Sequence, residues 1–341
     1  TPQYIVDYIV QNTVGKLLED CHTPEDVARL KIADPACGSG SFLLGAYSAL
    51  IDWHVRYYGD KERLTKKDRA AVYYDSDGSA RLTAQLKRQI LLNNLFGVDI
   101  DAQAVEVTRF SLSLKALEDT RHDELYEERD LFKQTVLPDL RHNIKHGNSL
   151  IGPDYFTGQM FANPDELRRV NPFDWEREFA GVFSASDLTG LKRPVRSDAG
   201  GFNAVIGNPP YVLIAEDAEK KFLQAQYKLS TGKPDLYRYF IERSLNLLKL
   251  RGRFGFIVPN TMLTIPASKD LRQHLLMDGG LIQIVNFWGK VFADASVNNI
   301  MLFVERGSNT PLVEVIEDEA DRPTAETLQS AARKLRLIEK G

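Results

Sequence analysis

The segment Asp34-Pro35-Ala36-Cys37-Gly38-Ser39-Gly40-Ser41 constrains this chain more than any other. It follows a short apolar run, Leu30-Lys31-Ile32-Ala33, and leads into a strongly helical stretch from Phe42 to about Tyr58. Strand, glycine turn and helix in that order open a parallel α/β sheet, whose ligands sit at the carboxyl ends of its strands. Gly38 and Gly40 tolerate positive φ and let backbone approach a ligand closely. The helix beginning near Ser41 aims its free amide donors at the same place. No third glycine completes the dinucleotide fingerprint, and no Gly-Lys-Ser/Thr makes a phosphate loop. Asp34, directly before the turn, suits a cation better than a pyrophosphate. A plain turn joining strand to helix remains the competing reading of these residues.

The rest of the chain repeats the pattern. A helical N-terminus (residues 3–20) places Ile5, Tyr8, Ile9, Val14, Leu17 and Leu18 at three- and four-residue steps. Helices are expected at about 82–93, 102–118, 235–250 and 268–277. Strands are expected at Leu95–Asp99, weakly at 144–150, at Phe202–Ile206, at Phe254–Val258, and at Leu281–Phe287 and Asn299–Val304. Only a short turn-like segment separates the last two, which suits an antiparallel pair. Residues 60–80 are polar and turn-rich, and 152–201 are rich in Pro, Gly, Asp and Arg, with Trp175 and Phe179 as isolated anchors. Both read as insertions. Residues 318–341 are charged and helix-prone. Thr1-Pro2 opens a helix without an initiator Met, so the expectation is a piece cut or processed from something longer.

Asp99 ends a strand, where an acid bonds ribose hydroxyls in nucleoside-binding folds or else caps the helix starting at Ala102. Asn208-Pro209-Pro210-Tyr211 follows the strand ending at Ile206 and so lies at the same sheet edge. Two prolines fix the backbone and remove two amide donors. The Asn208 amide oxygen and the Pro209 carbonyl are left as rigid acceptors, suited to a planar amine, with the Tyr211 ring beside them.

Composition narrows the classes. Of 341 residues, 43% are hydrophobic and 26% charged, the balance of a globular protein and not of a disordered, fibrous or membrane chain. Cys21 and Cys37 cannot form a disulfide framework or a zinc cluster, and no export signal is visible, so a reducing cytoplasmic setting is expected. With 43 basic and 47 acidic residues the net charge is −4, which by itself argues against a polyphosphate partner.

In order and placement these motifs resemble the γ-class N6-adenine DNA methyltransferases, particularly the catalytic domains of fused type IIG restriction–modification enzymes, over nearly the whole chain. The resemblance implies an α/β, Rossmann-like S-adenosylmethionine-dependent methyltransferase fold: a mixed seven-stranded sheet with an antiparallel terminal strand and helices on both faces. It assigns cofactor binding to Thr1, to Asp34, Pro35, Ala36, Cys37, Gly38, Ser39 and Gly40, to Asp99 and Ile100, and to Asn148, Ser149 and Leu150. Asn208, Pro209, Pro210 and Tyr211 become the catalytic motif. Val291-Phe292-Ala293-Asp294 resembles the segment whose aromatic stacks on the target base, so Phe292 joins Tyr211 in that role, with an ordinary core aromatic as the alternative for Phe292. Asn203 stands where many relatives carry Asp.

The implied function is transfer of a methyl group from S-adenosylmethionine to N6 of a flipped-out adenine, without a metal, in a prokaryotic restriction–modification or related phage-defence system. Accepting both N–H bonds of the amine localises a lone pair that the ring otherwise delocalises. Alternatives are an RNA adenine or protein glutamine methyltransferase, and a catalytically inactive cofactor-binding module. The expected layout is a catalytic domain at 1–310, with insertions at about 60–80 and 152–201. A linker or helix at 311–341 would lead to a target-recognition domain absent from this chain. Double-stranded DNA is the expected partner, with nuclease and recognition domains fused or separate and no membrane. If the basic DNA-gripping surface lies in such a domain, this chain alone binds cofactor and grips DNA weakly.

Overall fold

The structure is a computed structural model and describes residues 1–60, 64–65, 68–118, 138–158, 163–183, 200–214, 216–230, 235–292 and 297–340. Ala293 and Asp294 lie outside the described residues, as does the charged stretch 119–137. The strands in chain order are β1 (Ile32–Asp34), β2 (Val72–Tyr74), β3 (Ala80–Leu82), β4 (Leu95–Asp99), β5 (Ile144–His146) and β6 (Phe202–Gly207). They continue with β7 (Leu248–Pro259), β8 (Leu281–Phe287), β9 (Asn299–Glu305), β10 (Leu312–Asp318) and β11 (Arg336–Glu339). β2 and β3 form a separate antiparallel hairpin inside the polar insertion.

The other nine form one sheet in the order β11-β10-β8-β9-β7-β6-β1-β4-β5. β1 pairs parallel with β4 on one side and β6 on the other. The chain therefore runs outward through β4 and β5, then returns to start the other half at β6. The boundary between β1 and β6 is the switch point at which open α/β sheets bind ligands. β9 runs antiparallel to both β7 and β8, as the short connection between the last two expected strands required.

All seven expected strands are present, but the sheet has nine. Residues 311–341, expected as a linker or helix, instead supply β10, a helix Ala325–Ala332 and β11. β10 reads Leu-Val-Glu-Val-Ile-Glu-Asp, a half-buried alternation whose acidic positions disguise a strand. It pairs parallel with β8, and Val313 and Ile316 enter the core. β11 is exposed along its whole length and forms the sheet edge.

Helices cover both faces. They include α1 (Gln3–Val10), α2 (Lys16–Glu19), α3 (Pro24–Ala28), α4 (Ser41–Gly59), α5 (Ala84–Asn94) and α6 (Ala102–Leu117). α1 and α2, expected as one helix, are joined by a π turn, Gln11–Gly15. Within it Thr13 is fully buried and returns its hydroxyl to the Ile9 carbonyl at 2.7 Å. A Cβ on Gly255 of β7 would lie 2.8 Å from the Thr13 methyl, so the widened turn sits directly on the sheet. α3 starts with a capping box made by Thr23 and Asp26.

On the opposite face Trp175 and Phe179 are not isolated anchors. With Phe96 and Phe202 they form an edge-to-face cluster, centroids 5.2 Å apart for Phe96–Phe179 and 5.8 Å for Trp175–Phe202. This fastens the described part of the 152–201 insertion to the sheet. Helix Leu236–Leu247 adds the buried Tyr237, Tyr239 and Ile241 beside it.

Candidate active site at the carboxyl edge of the sheet

The glycine turn after β1 is built for tight backbone. Gly38 and Gly40 have φ of +50° and +85°. A Cβ on Gly40 would fall 2.9 Å from the Thr108 methyl of α6, so only glycine fits. Thr108 donates to the Gly38 carbonyl at 2.6 Å, and the Gly38 N–H donates to Asp99 Oδ2 at 2.8 Å. Asp99 thus clasps the turn from the end of β4, its other oxygen accepting the Asp101 N–H at 2.9 Å. Asp101, not Asp99, caps α6. The next residue, Ile100, is about half exposed and offers an apolar face at this edge.

Asp34 is buried, with its Oδ1 accepting the Ala36 N–H at 3.0 Å. Burial pushes its carboxyl up to about 8; the Ala36 N–H opposes the shift and nearby Asp99 adds to it. Burial likewise holds the Cys37 thiol protonated, well above its ordinary range.

The loop after β5 supplies the third group. Asn148 Oδ1 accepts the N–H groups of Leu150 and Ile151 at 3.1 and 3.2 Å. Ser149 donates its hydroxyl to the Pro35 carbonyl, tying this loop to the glycine turn. Leu150 is buried, and its carbonyl accepts from Tyr227 at 2.8 Å.

Across the switch point stands Asn208-Pro209-Pro210-Tyr211. Asn203, the unexplained departure noted above, stitches β6 to β1: its side-chain oxygen accepts the Lys31 N–H at 2.9 Å. Asn208 donates through Nδ2 to Thr1 Oγ1 at 3.2 Å, which brings the N-terminus to the motif. No described residue donates to the Pro209 carbonyl. The Asn208 oxygen is already engaged, in contrast to the expected free acceptor. The Tyr211 hydroxyl lies 2.6 Å from it and 2.9 Å from the Ile257 carbonyl, close enough to donate to either.

A cavity of about 530 Å³ spans the switch point. Its lining includes Pro35, Ala36, Asp99, Ile100, Asn148, Ser149, Leu150, Asn208 and Pro210, so the structure brings the three predicted loops together. The remaining predicted residues lie elsewhere. Asp34 and Cys37 sit behind the wall as buried supports, and Gly38, Ser39 and Gly40 are not among the lining residues. Tyr211 turns inward against Tyr237, ring centroids 6.1 Å apart and near perpendicular. Phe292 is half-buried against the core under α1 and α4 and does not line the cavity.

Sequence reading missed the opposite wall: Leu213, Ile214, Leu223, Leu236, Phe240 and Arg169, the last paired with Glu219. Nothing local marks these residues; they converge because the segment after the Asn-Pro-Pro-Tyr turn, helices Asp217–Gln226 and Leu236–Leu247, and Arg169 of the insertion meet at this edge. Among the described residues no group of three His, Cys, Asp or Glu could hold a metal ion, and no helix is long and apolar enough to cross a membrane.

A glycine turn and an Asn-Pro-Pro-Tyr turn facing each other across the switch point of this mixed sheet define an α/β methyltransferase fold. Solved structures agree over the whole chain. The DNA-bound type ISP restriction-modification enzyme LlaBIII superposes with a TM-score of 0.60 at 16% identity, covering 100% of this chain and 22% of that one. The type IIG restriction endonuclease BpuSI gives 0.54 at 16% identity, covering 100% and 31%.

Residues 93–292 match the sequence model of the Eco57I restriction-modification methylase family, and the chain belongs to that family. The type II restriction enzyme and methyltransferase RM.Eco57I of Escherichia coli is 30% identical over 314 residues, which are 90% of this chain and 27% of that protein. The adenine-specific methyltransferase PglX of Streptomyces coelicolor is 26% identical over 249 residues, 73% of this chain and 17% of that protein. The chain therefore spans about a quarter or less of these relatives.

Proposed function

We propose that this chain is the catalytic part of a DNA methyltransferase that carries a methyl group from S-adenosylmethionine to N6 of an adenine flipped out of the duplex. The observation that carries this reading is that Asn208 and Pro210 of the Asn-Pro-Pro-Tyr turn line one cavity with residues of the three cofactor-type loops. Relatives named as adenine-specific methyltransferases support the choice of acceptor.

The residues present fit the cofactor. Pro35 and Ala36 of the glycine turn and the Asn148–Leu150 loop line the cavity together with half-exposed Ile100, which offers an apolar surface for a purine face. Asp99 carries the carboxylate for ribose hydroxyls. When bound, S-adenosylmethionine supplies an electrophilic methyl on a sulfonium.

The protein's own part is to prepare the nucleophile. Asn208 Oδ1 and the Pro209 carbonyl accept the two N–H bonds of the adenine amine. They hold its nitrogen pyramidal and localise its lone pair as positive charge develops there. The rigid Pro-Pro backbone keeps the Pro209 carbonyl in place before the amine arrives, while Asn208 Oδ1 exchanges the Tyr211 hydroxyl for the amine. Flipping the base costs a few kcal/mol, part of which stacking on aromatic side chains returns. Tyr211 and Phe292 are the aromatics proposed for that stacking.

Replacing Asn208 with Ala should abolish labelling of DNA by a radiolabelled methyl donor, with calorimetric binding of S-adenosylmethionine retained. Labelling at the wild-type rate sinks the assigned role, and labelling of RNA or a glutamine peptide in place of DNA reassigns the acceptor.

A further inference from the structure

Asn299 opens β9, is fully buried, and donates through Nδ2 to the Tyr211 hydroxyl oxygen at 3.4 Å. Its own Oδ1 is buried with no partner among the described residues. A buried unsatisfied carbonyl costs about 1–3 kcal/mol, and an apolar residue of similar volume would avoid that cost. The polar side chain at this point is therefore unexplained by packing, and its one side-chain hydrogen bond among the described residues leads to the catalytic motif.

The Tyr211 oxygen has three neighbours, two of them with fixed roles. Ile257 offers only a carbonyl, and Asn299 Nδ2 can only donate. The third is Asn208, whose amide presents either an acceptor or a donor depending on which way round it lies. With Asn299 donating to the phenol oxygen, a second donor there is crowded and the phenol proton must go to a carbonyl. Asn208 consequently presents Oδ1 to Tyr211 and Nδ2 to Thr1, as observed. The phenol proton can then move to Ile257, 2.9 Å away, when another donor needs Oδ1.

We propose that Asn299 is a positioning residue that acts through the Tyr211 hydroxyl to fix the orientation of the Asn208 amide. The proposal rests on the functional reading above. Asn299 touches neither substrate, so its loss acts on turnover and not on cofactor affinity.

The test is a double-mutant cycle on the intact protein, using Asn299→Leu, Tyr211→Phe and the pair, with kcat for DNA methylation and the calorimetric Kd for S-adenosylmethionine as readouts. Asn299→Leu should lower kcat by about tenfold, the worth of one orienting hydrogen bond, with Kd unchanged. The same substitution should have no further effect in the Tyr211→Phe background, because the relay is already cut. Should Asn299→Leu fail to fold, Asn299→Ala removes the donor without adding bulk; its kcat should fall similarly, again only when Tyr211 is intact. Undiminished kcat in either folded variant, or losses that multiply with that of Tyr211→Phe, would overturn the proposal while leaving the functional reading standing. No transfer by the unaltered protein to any DNA would overturn both.

Discussion

Asp34 shows how much one buried carboxyl can set. Its raised pKa of about 8 means that the folded protein keeps a proton which the unfolded chain, with a value of 3.8, has already released. Stability from this group is therefore full below the unfolded value and falls as pH rises towards 8. Asp34→Asn preserves the acceptor for Ala36 and removes the titration. Between about pH 5 and 8 the wild-type unfolding free energy from urea titration should fall by up to ~1.4 kcal/mol per pH unit more than that of the variant. Parallel pH profiles for the two would refute the protonated assignment.

Residues whose chemistry is local were legible before folding. The turn from Asp34 to Gly40 and the Asn208–Tyr211 motif declare themselves through glycines and prolines that few other geometries need. Asn203 stood out only as a departure from relatives, and Asn299 and Arg169 were silent, because each gains its role from a segment far away in sequence. The inward turn of Tyr211 belongs to the same class. An exposed ring and a hydroxyl buried against Ile257 look alike in sequence.

Among the elements, the apolar strands near the sheet centre were easy to find because burial on both faces leaves a continuous apolar run, as in β6 and β9. The outer strands were not, since one exposed face or edge admits charge. β10 and β11 were missed for that reason, and with them the real extent of the sheet. A chain ended at residue 310, the boundary the sequence suggested, would uncover β8 and remove Val313, Ile316 and Leu328 from the core. At about 1.5–3 kcal/mol per buried side chain, this should cost several kcal/mol, and the bared edge should promote self-association. Urea unfolding and size-exclusion chromatography of the shortened chain check both effects; an unchanged midpoint and a monomeric profile would show that β10 and β11 are dispensable.

At the scale of the whole molecule, a net charge of −4 still bears on a nucleic-acid partner. Few phosphates can be neutralised by such a surface, so this chain by itself should bind S-adenosylmethionine with one-site stoichiometry and duplex DNA only weakly, with a shallow salt dependence. Calorimetry and fluorescence anisotropy at two salt concentrations test this; tight, steeply salt-dependent DNA binding would place the gripping surface here. The seating of β6 against β1 also has a temporal side. Lys31 and Asn203 are bonded across 172 positions, a closure whose entropy must be met before either strand is rewarded. A chain emerging from the ribosome can lay down β1, β4 and β5, and with them every cofactor-type loop, before Asn208 has been made. The methyl-accepting half of the site and the wall that closes the cavity are then the last to arrive, so in a nascent chain the cofactor-type loops precede both the pocket and the groups that would use it.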